Sequence, residues 1–130
     1  RSEVQTHLIN SDVFILPTLA DTIPVTIFEA FASELAVVTT SSKHNPAAKE
    51  LIEEGKTGML VSQKENSSPL PAHAKENNLQ ELIEKTQLLL ENSSLRKKIA
   101  KNSFNEISSG KFAYKKRIEK MSEIYRTALG

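Results

Sequence analysis

Two carboxylates, Asp21 and Glu29, stand eight positions apart around the stretch Thr22-Ile23-Pro24-Val25-Thr26. Asp21 follows a short apolar run, and Glu29 falls about a turn and a half into a stretch of helical spacing. A helix start offers free N–H groups and the positive end of its dipole, both suited to phosphate. A carboxylate just inside that helix can accept hydrogen bonds from ribose hydroxyls. One in the preceding loop can accept them from a sugar. Taken alone, an Asp at such a place is more often a turn or cap residue. The spacing therefore has to be weighed with the elements that carry it.

Those elements alternate. Val13-Phe14-Ile15-Leu16, ended by Pro17, predicts a strand buried on both faces, as in a parallel sheet. Ile27, Phe28 and Phe31 share one face of a helix predicted from Val25 to Ser33, with Pro24 as its first-turn proline. Ala36-Val37-Val38-Thr39-Thr40 is β-branched and reads as a second strand. Asn45-Pro46 opens a second helix running through Glu54, with Gly55 beyond its end. Gly58-Met59-Leu60-Val61 is a third strand. This β-α-β-α-β order over residues 9–61 implies a parallel sheet with right-handed crossovers. The ligand-binding edge of such a sheet is the carboxyl end of its strands, where Asp21 and Glu29 fall.

Residues 62–78 are polar and proline-broken and read as a loop. From 79 to 130 the pattern is helical. Leu79, Leu82, Ile83, Leu89 and Leu90 mark one helix. Leu95, Ile99 and Ile107 mark another, with Ser94 as its N-cap, and Ile118, Met121, Tyr125 and Leu129 mark the last. We read residues 1–130 as a single partial domain. Val13–Leu16, as an interior strand, needs a neighbour that Arg1 to Ser11 do not supply. Either further strands precede it, or a second copy or another partner covers that edge.

Composition bounds the function. Of 130 residues, 38% are apolar and 25% charged, which suits a globular domain. No apolar run is long enough to span a bilayer, no secretory signal segment is present, and there is no Cys to form disulfides or thiolates. A cytoplasmic location is expected, with a peripheral place at the membrane as its variant. Net charge is +1, unevenly spread: residues 1–74 carry 5 Lys+Arg and 9 Asp+Glu, and residues 75–130 carry 12 and 7. The basic half, with its Lys115-Lys116-Arg117 cluster, reads as solvated helix faces, with acidic lipid headgroups as the alternative partner. His7, His44 and His73 have no metal-ligand spacing and read as surface residues. There is no Gly-rich phosphate motif, and no basic-plus-aromatic signature for nucleic acid.

The whole string around the two acids carries more than their spacing. Asn10-Ser11-Asp12-Val13-Phe14-Ile15-Leu16-Pro17-Thr18, Glu29-Ala30-Phe31-Ala32-Ser33, Ala36-Val37-Val38-Thr39-Thr40 and Glu50-Leu51-Ile52-Glu53-Glu54-Gly55-Lys56-Thr57-Gly58-Met59-Leu60-Val61 resemble the Glu-x7-Glu region of retaining family-4 glycosyltransferases, which have the GT-B fold. The resemblance is clear over residues 9–61 and looser through the later helices. It implies a Rossmann-like half-domain of three parallel strands with flanking helices and a helical tail. It further implies that Glu29 binds the donor ribose and that Asp21, the catalytic candidate, contacts the donor sugar. Thr22, Pro24, Val25 and Thr26 would face the diphosphate, with Val25 and Thr26 donating because Pro24 has no N–H. His44, in a loop that borders the donor in the family, joins the substrate-binding set.

Three departures stand out. Asp21 replaces the usual Glu. Glu34 stands where Gly is usual, and that Gly serves a positive φ after the helix. Ser41 to Ala48 replace a shorter Gly-Gly loop. The family's Arg and Lys that clamp the diphosphate, and its acceptor-binding N-terminal domain, lie upstream of the matched region. The expected parent is a hexosyltransferase-type enzyme of polysaccharide or glycoconjugate biosynthesis. It would use a nucleotide-diphosphate sugar without a required metal or other cofactor, and a carbohydrate or lipid-linked acceptor. The 130 residues alone are expected to be inactive. The alternative is a non-catalytic half-domain that serves binding or assembly.

Overall fold

The computed structural model describes residues 2–18, 24–41, 46–62 and 75–129. Its elements are α1 (Ser2–Ile9), β1 (Val13–Leu16), α2 (Val25–Ala32), β2 (Ala36–Ser41), α3 (Pro46–Leu51), β3 (Met59–Ser62), α4 (Lys75–Glu91), α5 (Ser93–Ser108) and α6 (Tyr114–Leu129). The strands form one sheet in the order β1-β2-β3. Both pairings are parallel, with Val13 opposite Ala36 and Val38 opposite Met59. The alternation read from the sequence is therefore the alternation of the fold.

Parallel pairing sets which side chains share a face. Leu16 and Val37 join Ile27, Ala30, Phe31, Leu51 and Ile52 in one apolar cluster beneath α2 and α3. Ala36, Val38, Met59 and Val61 join Leu89 of α4 and Ile99 of α5 in the other. Every residue of β2 is buried, as a strand covered on both faces and both edges must be. β1 is less covered: Ile15 is 42% exposed, so among the described residues β1 forms an open edge.

Side chains tie the helices down locally. Arg96 of α5 donates to the carbonyls of Leu89 and Leu90 at the end of α4 and pairs with Asp12 at 3.2 Å, just before β1. Lys85 of α4 bridges Glu54 and Glu81, each at 2.9 Å, and donates to the Leu60 carbonyl of β3. α6 packs least. Tyr114, Ile118, Met121 and Tyr125 form one stripe at helical spacing and are 45–77% exposed.

Several boundaries differ from the sequence reading. Residues 2–9 form a helix that no periodicity in the sequence predicts. α3 ends at Leu51, not Glu54, and Gly55 takes its positive φ of 70° in the turn before β3. The N-cap of α5 is Asn92, whose side chain accepts from Leu95 N at 2.9 Å. An Asn acceptor at position 92 claims the cap two residues ahead of Ser94. Pro24 is the N-cap of α2 and not its first helical residue. α4 is already helical at Lys75, ahead of its first marker Leu79, and residues 63–74 of the expected loop lie outside the described set.

The position of the missing Gly behaves as the family pattern implies. Glu34 has φ 54°, in the left-handed region. Leu35 N donates to Ala30 O and Glu34 N to Phe31 O, the paired bonds of a Schellman end, and Leu35 is buried beside it. A non-Gly residue at this position costs about 1 kcal/mol. Glu34→Gly is therefore expected to raise the thermal midpoint by about 4 °C, measured by circular dichroism. An unchanged or lower midpoint would show that Glu34 carries no strain.

Candidate functional site

β1 and β2 run in parallel, so the segments that leave their carboxyl ends emerge side by side. Two threonines of β2 hold that arrangement. Thr39 Oγ1 donates to Leu16 O at 2.8 Å, and Thr40 Oγ1 donates to Thr18 O. Each bond joins β2 to the end of β1 through a side chain, beyond the backbone ladder. α2 starts on the far side of that β1 exit, so its first turn lies at the carboxyl edge of the sheet, where ligands bind in open α/β folds.

Pro24, the N-cap of α2, is buried with an extended backbone (φ −73°, ψ 91°), and among the described residues no side chain caps the helix. Ile27 N donates back to Pro24 O at 3.0 Å. Val25 and Thr26 come before the helical ladder begins, so their N–H groups point out of the N-terminus. Both residues are exposed, Val25 to 61%, which is unusual for a valine in a buried helix. The opposite face of α2 is anchored: Ile27, Ala30 and Phe31 are fully buried. The core therefore fixes the direction in which the free N–H groups point.

Glu29 lies on the solvent side of this helix, and its carboxylate is exposed. Its backbone carbonyl accepts from Ser33 Oγ at 2.9 Å. Of the residues singled out from the sequence, Pro24, Val25 and Thr26 form the start of this helix and Glu29 lies about one turn further along it. Asp21, Thr22 and His44 lie outside the described residues. Among the described residues, no group of three His, Asp or Glu side chains could hold a metal ion. No helix among them is long and apolar enough to cross a membrane.

One residue read from the sequence as opening the loop Ser41 to Ala48 instead ends β2. Ser41 is 5% exposed, and among the described residues its hydroxyl has no hydrogen-bond partner. A serine ending a β-branched strand carries no signal of its own. Burial of an unpaired hydroxyl at a ligand-binding edge becomes visible only in three dimensions.

Three parallel strands with flanking helices match the C-terminal, Rossmann-like half-domain of the GT-B fold. The family model described as Glycosyl transferases group 1 matches residues 1–92, and the chain belongs to that family. The chain is 32% identical over 103 residues to a Campylobacter jejuni protein, N,N'-diacetylbacillosaminyl-diphospho-undecaprenol alpha-1,3-N-acetylgalactosaminyltransferase. That match covers 79% of this chain and 23% of the relative. The fold resembles the crystal structure of the C-terminal domain of a glycosyl transferase group 1 family protein (LpcC) from Francisella tularensis. There the TM-score is 0.63 and the identity 24%, over 82% of this chain and 47% of that one. It also resembles WaaG, a glycosyltransferase involved in lipopolysaccharide biosynthesis, with a TM-score of 0.65 and 19% identity, over 86% of this chain and 26% of that one. The chain thus spans about a quarter of the curated relative's length.

Two of the buried hydroxyls at this edge should respond differently to removal. Thr39→Val breaks the bond to Leu16 O and is expected to cost about 1 kcal/mol in urea unfolding. Ser41→Ala removes a hydroxyl that has no partner among the described residues and is expected to be neutral or stabilising, within about 0.5 kcal/mol. Equal losses from both would contradict the assignment of Ser41 as unpaired.

Proposed function

We propose that this chain is the diphosphate- and ribose-binding portion of a retaining, family-4, hexosyltransferase-type enzyme that takes a nucleotide-diphosphate sugar. The observation that carries the reading is the uncapped first turn of α2 with Glu29 exposed on the same helix. It lies inside the region that matches the glycosyltransferase family. In this reading Val25 and Thr26 donate their N–H groups to the diphosphate oxygens. Negative charge builds on the diphosphate as the sugar departs, and a helix N-terminus stabilises it without any proton transfer. Glu29 accepts hydrogen bonds from the ribose. Asp21 takes the donor-sugar contact, with Thr22 and His44 beside it. No metal is required, because the helix end and basic residues from outside this chain balance the diphosphate charge. The acceptor is a carbohydrate or a lipid-linked saccharide, the class named for the Campylobacter relative. It would be bound by a domain that these 130 residues do not contain, and the enzyme would work in the cytoplasm, at or near the membrane.

Two substitutions in the protein as the cell makes it test this assignment. Glu29→Gln should weaken binding of the nucleotide-diphosphate sugar by about tenfold and leave inorganic diphosphate binding unchanged. Val25→Pro keeps a helix that tolerates proline in its first turn but removes one N–H, so it should weaken both ligands by about tenfold. Calorimetric titration reads both, and unchanged affinities in both variants would overturn the site.

A second reading draws on the open edge of β1, where Ile15 stays 42% exposed. It makes the chain a non-catalytic half-domain whose edge is covered by a second copy or another protein. The 130 residues by themselves are expected to transfer no sugar from any nucleotide donor, and turnover by the purified chain would refute that. Sedimentation separates the two readings: a dimer through the β1 edge favours assembly, and a monomer favours the enzyme fragment.

A further inference from the structure

A cleft of about 940 Å³, lined by none of Val25, Thr26 and Glu29, opens between α3, from its first residues Pro46 and Ala47, and the first two turns of α6. Its volume falls within the roughly 300–1,000 Å³ typical of small-molecule sites. The floor is apolar. Phe28 of α2 and Phe112, just before α6, meet edge to face with centroids 5.4 Å apart, and Ile107 of α5 lies with them. The chain can bring Phe112 back to this place because it turns at Gly110, where a Cβ would sit 2.6 Å from the backbone of Glu106.

The wall is cationic. Lys116, Arg117 and Lys120 of α6 all line the cleft. None of the three has an ion-pair partner among the described residues, although Glu119 and Glu123 stand on the same helix. Lys116 and Lys120 are four apart on one helix face, a spacing at which like charges oppose helix formation. A fourth cation, Lys111, is already engaged. Its Nζ donates to Glu50 O at 3.1 Å and sits 5.0 Å from the Phe112 ring centroid. Glu50 is the one acid of the lining, so the lining keeps a net positive charge. Solvated cations need no partner. Two lysines and an arginine that line one cleft with Phe28 and Phe112 provide a charged and an apolar contact for the same molecule.

We propose that this cleft is a second ligand site, separate from α2's N-terminus, for a phosphate monoester or diester that carries an apolar group. The phosphate would lie against Lys116, Arg117 and Lys120, and the apolar group against Phe28, Ile107 and Phe112. This assignment does not depend on the donor-site reading. Either a soluble ester or a phospholipid headgroup supplies the chemistry.

The test uses the protein as the cell makes it, ¹⁵N-labelled, with three probes: n-hexyl phosphate, inorganic phosphate, and vesicles of phosphatidylglycerol. Hexyl phosphate is expected to shift the amide resonances of Phe28, Ile107, Phe112 and the start of α6 in a saturable way. It should bind about tenfold more tightly than inorganic phosphate, the difference coming from burial of its alkyl chain. Joint substitution of Lys116→Gln, Arg117→Gln and Lys120→Gln should weaken it by at least about tenfold. The charge-preserving set Lys116→Arg, Arg117→Lys and Lys120→Arg should retain binding, which separates loss of charge from loss of fold. Val25→Pro, which removes an N–H from the donor edge, should leave hexyl phosphate binding intact, so failure of the donor site and failure of this one are distinguishable. Vesicle binding that is lost in the Gln variant identifies a lipid headgroup as the source. Hexyl phosphate binding without vesicle binding identifies a soluble ester. Absence of saturable shifts, equal affinity for hexyl and inorganic phosphate, or indifference to the Gln substitutions would overturn the proposal.

Discussion

The burial of β2 on both faces is the constraint on which the described structure depends. Alternate residues of this strand feed two separate apolar clusters. Val37 and Val38 point opposite ways, and each is fully buried. Burial of a valine side chain is worth about 1.5–3 kcal/mol, so one strand holds helices on both sides of the sheet. It also aligns β1, and the alignment of β1 decides where α2 begins. A polar residue at either valine would cost one cluster its floor, and the helix end at the sheet edge would lose its support.

Charge divides between structure and surface. The acids of the first part of the chain and the bases of the second meet in a few defined places. Lys85 illustrates the balance: burial alone would lower its pKa, but the hydrogen bonds it donates to Glu54 and Glu81 outweigh burial and raise it. It stays charged at neutral pH and fastens α4 to the sheet. Arg96 does the same between α5, the end of α4 and the start of β1. Lys116, Arg117 and Lys120 of α6 form no ion pair among the described residues, and what sets them apart from other solvated cations is the cleft lining they share with Phe28 and Phe112.

The sheet and its direction were legible because parallel strands buried on both faces are written as continuous β-branched or apolar runs. The strain at Glu34 was legible for a different reason. A pattern that calls for Gly states a backbone requirement, and the structure meets it with a glutamate at positive φ. Boundaries set by single hydrogen bonds were not legible. Asn92 and Ser94 are both good caps by type, and only the geometry of the chain entering α5 selects Asn92. α1 was missed because its one buried anchor, Leu8, gives no periodicity over eight residues. The site divided along the same line. Glu29 and the free N–H groups belong to one helix and follow from local spacing. The unpaired hydroxyl of Ser41 and the cleft beside α6 need residues brought together from distant parts of the chain.

The two threonine bonds at the end of β2 have a mechanical consequence. Thr39 and Thr40 fasten the exit of β1, at Leu16 and Thr18, to the exit of β2. Each bond reaches a carbonyl more than twenty positions earlier in the chain. The strand that leads to α2 and the strand that leads to α3 therefore end as one stiff lip. A ligand that pulled on the segment after β1 would transmit its force directly to the neighbouring exit, and the two would shift together or not at all.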